Sequence, residues 1–147
     1  GPLAYSQALS ELSRLRAEEV TVTWQDHAET LSLYGAVIAN GRTAGGGFPC
    51  APGANPEDGL LDVLLIRQGT AADTLSTITA FLSGRALSSD TVSFQPVRQV
   101  TIETTLAMNL DGEPLPEGPV TFRVLPGACR FLVGPDYVDI PPIGLSD

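Results

Sequence analysis

The stretch VTVTWQDHAETLSLYGAVIA, residues 20–39, decides the fold of this 147-residue chain. Residues 20–24 alternate apolar and polar side chains and are rich in β-branched residues, which is typical of a strand with one buried face. Residues 25–28 form a polar turn signal, and residues 30–39 are a longer strand pattern that ends at an Asn-Gly turn. The segment therefore predicts two strands joined by a hairpin tip.

The rest of the chain continues as short strands separated by turn residues. Two segments have apolar residues at helical spacing instead and predict short amphipathic helices, residues 7–18 and 71–83. Closely spaced strands with two helices predict a mainly β fold, namely a two-sheet antiparallel β-sandwich with two short helices as decoration. The further predicted strands are residues 60–67, 91–96, 99–103, 106–110, 120–125 and 128–133.

The charge of the chain narrows the classes of function. The formal net charge is −9, and all eight basic residues are arginine. The lack of lysine excludes Schiff-base chemistry and a phosphate-loop lysine within this chain. An acidic surface repels phosphate backbones, so we expect no nucleic-acid partner. No apolar run approaches the ~20 residues of a membrane-spanning helix, so we expect no stable membrane insertion.

The two cysteines and the single histidine do not indicate a metal site or a catalytic site. Two cysteines and one histidine cannot form a four-ligand zinc site without carboxylates. Cys50 and Cys129 both lie beside apolar residues, which predicts buried free thiols, with a single disulfide as the alternative. His27 falls in the predicted turn, so we expect it at the surface.

Two Asp-Gly steps place carboxylates next to predicted strands. Around Asp111, the pattern fits a tight turn with both carboxylates in solvent, or a site in which Glu113 takes the proton from a hydroxyl that attacks a phosphoryl group. Around Asp58, it fits a loop-to-strand turn, or a hard-cation site that combines the carboxylate with flanking backbone carbonyls. The residues alone leave both alternatives open.

The order of short motifs along the chain is more specific than any one of them. After the Asn-Gly that ends the long strand come Ala-Gly-Gly-Gly-Phe, then Ala-Pro-x-Ala, then Asp-Gly-Leu-Leu-Asp-Val, then a helix ending in Gly84. Asn-Leu-Asp-Gly-Glu and Leu-Pro-Gly-Ala follow. Over residues 20–134 this order resembles the C-terminal domain of the diacylglycerol kinase and sphingosine kinase superfamily. It is most similar to the soluble bacterial lipid kinases of that group.

The resemblance implies roles for particular residues. Such kinases pair an α/β nucleotide-binding domain with a β-sandwich domain, and the active site lies in the cleft between them. Glu113 would be the proton acceptor, with Asp111 as a supporting carboxylate. The side chain of Asp58 would bind a structural Mg²⁺ together with two backbone carbonyls. Those carbonyls belong to Asn55 and Leu60, and the residues near the cleft are Asn40, Gly45, Gly46 and Gly47.

The chain lacks the Gly-Gly-Asp-Gly-Thr run that marks the nucleotide site of this superfamily. We therefore expect ATP to be bound by a missing N-terminal domain, and this chain to be inactive alone. The resemblance divides the chain into a leading helix and linker (residues 1–19), the lipid-kinase-like β-sandwich (residues 20–134) and a proline-rich tail (residues 135–147). Further expectations are a lipid substrate with a free hydroxyl, a cytoplasmic location with transient access to a membrane surface, and a homodimer through the exposed cleft side.

Two alternatives stay open. The second domain of an NAD kinase has a similar plan, although its Thr-Pro-Thr-Gly-Ser-type run is not found here. The chain could also be a stand-alone β-sandwich module whose acidic loops bind a cation or a protein partner. An upstream nucleotide-binding domain in the intact gene product would favour the kinase.

Overall fold

The computed structural model describes residues 16–44, 48–70, 72–73, 76–77 and 91–138. Its regular structure is almost entirely β, because most apolar residues alternate with polar ones along the chain. The strands are β1 (Glu18–Trp24), β2 (His27–Ala39), β3 (Thr43–Ala44), β4 (Phe48–Pro49), β5 (Leu61–Arg67), β6 (Val92–Val97), β7 (Gln99–Glu103), β8 (Asn109–Leu110), β9 (Glu113–Pro114) and β10 (Val120–Arg123).

A six-stranded antiparallel sheet forms the frame, in the order β10-β7-β1-β2-β5-β6. Strands β6 and β7 lie far apart in this order, yet only Arg98 separates them in the chain. The sheet must therefore fold over so that its β5–β6 part approaches β7 and β10. At this corner the backbone N–H of Val124 donates to the carbonyl of Arg98 at 3.1 Å. The prediction of a mainly β, antiparallel, sandwich-like fold is confirmed.

The long strand β2 joins the two parts of the folded sheet. Its first half pairs with β1, from Trp24 opposite His27 to Glu18 opposite Leu33. Its second half pairs with β5, and the register shifts between Leu33 and Gly35. Such a bulge bends a strand and increases its twist, which lets one strand serve both parts of the sheet.

The hydrophobic core lies inside this fold, and a smaller cluster lies on the opposite face of the sheet. In the smaller cluster Cys50, Ala51 and Ala54 pack against Ala39 and Val37, which holds the loop after β4 on the sheet. The main core takes residues from both parts of the sheet, so burial of apolar area joins the two parts. Its buried members are Val20, Val22, Leu33, Leu61, Val63, Leu65, Val97, Val100 and Ile102.

Two predicted elements at the ends of the chain differ from the structure. The helix predicted over residues 7–18 is wrong at its C-terminal end, because residues 16 and 17 are irregular and Glu18 begins β1. Pairing of this strand with β2 prevails there over the helical spacing of the apolar residues. The rest of that segment lies outside the described residues. The strand predicted over residues 128–133 is also wrong: these residues are irregular and exposed, with Phe131 at 83% exposure. No strand in the described part of the chain pairs with them, and apolar content alone does not make a strand.

Smaller corrections concern one strand and one cysteine. Only residues 109 and 110 of the strand predicted over 106–110 are extended and paired, because a bend precedes them. Both cysteines are free, as predicted, but Cys129 is exposed rather than buried because it lies in the irregular segment after β10. In the helix predicted over 71–83, the described residues 72, 73, 76 and 77 are helical. No helix within the described ranges is long and apolar enough to cross a membrane.

Candidate functional site

Residues 55–60, here called the acidic turn, bring the three predicted cation ligands into one compact segment. The side-chain oxygen of Asn55 accepts the backbone N–H of Glu57 at 3.0 Å, and its carbonyl accepts the N–H of Asp58 at 3.3 Å. The Oδ1 atom of Asp58 accepts the N–H of Leu60 at 2.8 Å. Such side-chain-to-backbone bonds are what Asn and Asp form in tight turns, so the sequence itself fixes this conformation.

The acidic turn is held from upstream by Arg42. Its guanidinium Nε donates to the carbonyl of Ala54 at 3.2 Å. Its own carbonyl accepts the backbone N–H groups of Cys50 at 3.1 Å and Ala51 at 3.2 Å. Because all three partners are buried against the sheet, Arg42 fixes the chain just before the acidic turn.

Asp62 adds a second carboxylate to this region. It is the second residue of β5 and lies opposite Ala39 on one side and Pro96 on the other. Burial raises the pKa of Asp62 above its ordinary value, and repulsion from Asp58 raises it further. The sequence contained this residue in the Asp-Gly-Leu-Leu-Asp run, and its position four residues after Asp58 was the signal that could have assigned it to the site.

The chemistry of the donors fits a hard cation. Mg²⁺ prefers oxygen ligands and keeps several waters, so one carboxylate and two backbone carbonyls are a suitable partial set. A cation beside Asp58 would also offset the repulsion between Asp58 and Asp62. In the described part of the chain, no group of three or more His, Cys, Asp and Glu side chains is placed to hold a metal. A cation here would therefore depend on the carbonyls of Asn55 and Leu60.

The residues predicted near the cleft follow β2. Asn40 is exposed and comes directly after Ala39, which lies opposite Asp62, so Asn40 is at the same end of the sheet as the acidic turn. Strands β3 and β4 pair with each other, Thr43 opposite Pro49 and Ala44 opposite Phe48. The connection between them, Gly45, Gly46 and Gly47, lies outside the described residues.

The Asp-Gly-Glu hairpin, residues 109–114, presents the predicted base. Strands β8 and β9 pair with each other, with Leu110 opposite Glu113. Asp111 has φ 51° and Gly112 has φ 94°, and two positive values at the centre of a two-residue loop are the signature of a type I′ turn. Met108 packs on the main core and fixes the base of the hairpin. Asp111 and Glu113 are both exposed, and no described hydrogen bond joins this hairpin to the acidic turn.

Comparison with known proteins shows the family of the domain that carries the acidic turn and the Asp-Gly-Glu hairpin. Residues 1–133 match the model of the family described as YegS C-terminal NAD kinase beta sandwich-like domain. The chain is 35% identical over 124 residues to a protein of Pseudomonas fluorescens named "Probable lipid kinase YegS-like", a match that covers 82% of this chain and 40% of that protein. It is 41% identical over 95 residues to a protein of the same name from Pseudomonas aeruginosa, with 63% of this chain and 31% of that protein covered.

A solved structure agrees with the fold. The crystal structure of a diacylglycerol kinase from Bacillus anthracis str. Sterne matches with a TM-score of 0.58 and 19% identity, over 80% of this chain and 43% of that chain. At this identity the likeness supports the fold alone. The chain spans two fifths or less of the length of the two Pseudomonas relatives. By the family match over residues 1–133, this chain belongs to the family of YegS C-terminal domains.

Proposed function

We propose that this chain is the C-terminal half of an ATP-dependent lipid kinase, which phosphorylates a lipid hydroxyl such as that of diacylglycerol. One observation carries the proposal: the chain belongs to the YegS C-terminal family, and relatives that are 35% and 41% identical to it are named as lipid kinases. The Asp-Gly-Glu hairpin adds to this, because it offers an exposed carboxylate on a rigid turn.

Glu113 acts in this proposal as the general base. As a lipid hydroxyl oxygen bonds to the terminal phosphorus of ATP, the bond from that phosphorus to ADP breaks and ADP leaves, and a carboxylate within hydrogen-bond reach takes the hydroxyl proton. The type I′ turn at Asp111 and Gly112 sets where the Glu113 side chain points. Asp111 supports it by tolerating the positive φ that the turn needs, which Asp does better than most residues.

The acidic turn is the proposed Mg²⁺ site. The carboxylate of Asp58 and the carbonyls of Asn55 and Leu60 would hold the ion, and the bound charge would offset the negative potential near the transferring phosphates. Oδ1 of Asp58 already accepts the N–H of Leu60, so Oδ2 is the carboxylate oxygen proposed to face the ion. The carbonyl of Asn55 would bind the ion in addition to accepting the N–H of Asp58, since a carbonyl oxygen has two lone pairs. The ion is treated as structural, and the proton transfer does not pass through it.

ATP binding is assigned to an N-terminal domain of a longer protein. The chain spans 40% of the Pseudomonas fluorescens relative, which leaves room for such a domain. Phosphoryl transfer needs nucleotide, base and acceptor in one arrangement, so we propose that this chain is inactive by itself. The longer protein is proposed to work in the cytoplasm and to meet its substrate at a membrane surface.

The test compares single-residue variants of the longer protein. ATP-dependent phosphorylation of diacylglycerol in mixed micelles should fall about a hundredfold or more in Glu113→Gln, which is the scale of a lost general base. Glu117→Gln is the matched control, because Glu117 is also exposed and lies in the connection between β9 and β10. It should keep the full rate, and the 147-residue chain alone should show none.

Other outcomes have a definite meaning. Full activity of Glu113→Gln would remove the proposed base and leave the Asp-Gly-Glu hairpin as a structural turn. Phosphorylation of NAD in place of any lipid would favour an NAD-kinase-like function. Inactivity of the longer protein on every hydroxyl lipid and on NAD would favour a module that binds a cation or a protein partner.

A further inference from the structure

The ring of Pro126 lies next to Gly59, near the downstream end of the acidic turn. A Cβ atom placed on Gly59 would be 3.4 Å from Cγ and 3.8 Å from Cβ of Pro126, which is ordinary van der Waals contact, so the proline ring borders the space beside this glycine. Gly59 has φ +72°, a conformation that side chains disfavour. The lack of a side chain thus allows the backbone conformation of the turn, and the ring of Pro126 lies next to it.

Pro126 belongs to a turn that is itself rigid. The N–H of Ala128 donates to the carbonyl of Leu125 at 3.1 Å, and Gly127 has φ +71°. A proline followed by a residue with positive φ, closed by this hydrogen bond, is a type II turn. We call residues 125–128 the proline turn. Only Val124 separates it from β10, so the frame of the sheet sets its position.

We infer that Pro126 is a positioning residue of the proposed cation site. The inference rests on the proposed function, because it takes the acidic turn to be the Mg²⁺ site. Gly59 lies between Asp58, which supplies the carboxylate, and Leu60, which supplies a carbonyl, so the torsions of Gly59 set the separation of these two ligands. The ring of Pro126 restricts those torsions from outside the turn.

The acidic turn thus has an anchor at each end. Arg42 holds the upstream end through the carbonyl of Ala54, and Pro126 holds the downstream end at Gly59. Hydrogen bonds within the turn orient individual groups, but they do not tie it to the rest of the domain. A ligand set that is fixed before binding loses less entropy when the ion arrives, so the anchors should strengthen cation binding.

The experiment measures Mn²⁺ binding to the 147-residue chain by electron paramagnetic resonance. Mn²⁺ accepts the same oxygen donors as Mg²⁺. Pro126→Ala should bind Mn²⁺ about three- to tenfold more weakly than the wild type, equivalent to about 0.7–1.4 kcal/mol. Asp58→Asn should abolish the binding. Pro116→Ala, a change of an exposed proline between β9 and β10, should leave the affinity unchanged.

A purely structural effect is separated by thermal unfolding in excess EDTA. The inference requires weaker Mn²⁺ binding at a temperature at which Pro126→Ala is as fully folded as the wild type. Should Pro126→Ala fail to fold, Gly127→Ala gives the same test, because it keeps the ring but strains the turn at φ +71°.

The outcomes distinguish the two proposals. Binding that Asp58→Asn abolishes, with Pro126→Ala and Gly127→Ala equal to the wild type, would overturn the role of Pro126 and keep the cation site. If the wild type binds no more Mn²⁺ than Asp58→Asn does, the cation site itself is refuted, and the inference with it.

Discussion

Replacement of Gly59 by alanine tests whether the acidic turn is held in a strained conformation. Gly59 has φ +72°, and Pro126 lies 3.4 Å from the position that the new methyl group would occupy. Gly41 is the matched control, because it precedes the same loop, has no positive φ and has open space around its Cβ position. The two variants make the same chemical change in different backbone conformations.

The expected magnitude follows from the two conformations. A left-handed conformation costs an alanine about 1–2 kcal/mol. Against this, replacing glycine by alanine removes freedom from the unfolded chain, which stabilises a protein by about 0.4–1 kcal/mol where the backbone permits it. Gly59→Ala should therefore lower the free energy of unfolding by about 0.5–1 kcal/mol, and Gly41→Ala should raise it by a similar amount. Their difference of about 1–2 kcal/mol measures the strain, since the unfolded-state term cancels.

Urea unfolding in EDTA, followed by circular dichroism, gives both values. With a slope of about 2 kcal/mol/M, the middle of the usual range in urea, the two midpoints should differ by about 0.5–1 M. Equal midpoints, or a higher midpoint for Gly59→Ala, would show that the turn does not need a left-handed residue at this position. The proposed separation of the Asp58 and Leu60 ligands would then have no fixed basis.

Two further predictions concern the carboxylate of Asp62, near the start of β5, and the hydroxyl of Thr70, at the start of a helical segment. Burial raises the pKa of Asp62 above 3.8, and repulsion from Asp58 raises it further. The folded protein therefore binds a proton at this site more readily than the unfolded chain does, so the charged carboxylate lowers the free energy of unfolding at pH 7. This destabilisation is lost as the pH falls through the raised pKa of Asp62 towards 3.8. Asp62→Asn should therefore have a higher urea midpoint than the wild type at pH 7, and the difference between the two midpoints should disappear near pH 3.8. The same difference at both pH values would contradict the reasoning. The hydroxyl of Thr70 accepts the N–H of Asp73 at 3.3 Å, and the Asp73 carboxylate accepts the backbone N–H of Thr70 at 2.9 Å, which is a capping box with Asp in the acidic position. The hydroxyl also donates to the same carboxylate at 2.6 Å. Thr70→Ala should destabilise the domain by about 1 kcal/mol and Thr70→Ser by much less, as measured by thermal unfolding at pH 7; equal losses would exclude the cap.

The main strands could be predicted from the sequence because their signal is local. Alternation of apolar and polar residues indicated β1, most of β2 and β7 to within a few residues, since one face of each strand packs on the core. A mostly apolar run, typical of a strand buried on both faces, indicated β5. The segment 128–133 has a similar apolar content but forms no strand. A strand needs a hydrogen-bonding neighbour, and the presence of that neighbour is not a property of the segment itself.

The local part of the candidate site could be predicted in the same way. Asn55, Asp58 and Leu60 lie within six residues, and short polar side chains beside glycine predict a turn that brings their groups together. The contact of Pro126 with Gly59 joins distant parts of the chain and depends on the fold of the sheet at Arg98, so no local pattern contains it. The pKa of Asp62 is likewise set by burial, which the sequence does not specify.

The exposure of Glu113 bears directly on the proposed function. A kinase must keep water away from the phosphoryl group, or ATP is hydrolysed instead of transferring its phosphate to the lipid. In this chain the Asp-Gly-Glu hairpin is exposed along its length, and Leu110, opposite the proposed base, is 52% exposed. The proposal therefore requires another surface to cover the hairpin, which an N-terminal domain and the lipid would supply. Carboxylate footprinting of the longer protein, with ATP and a lipid substrate bound, should show Glu113 protected and Glu117 still labelled. Equal labelling of the two would leave the proposed base in open water, where it could not serve a kinase.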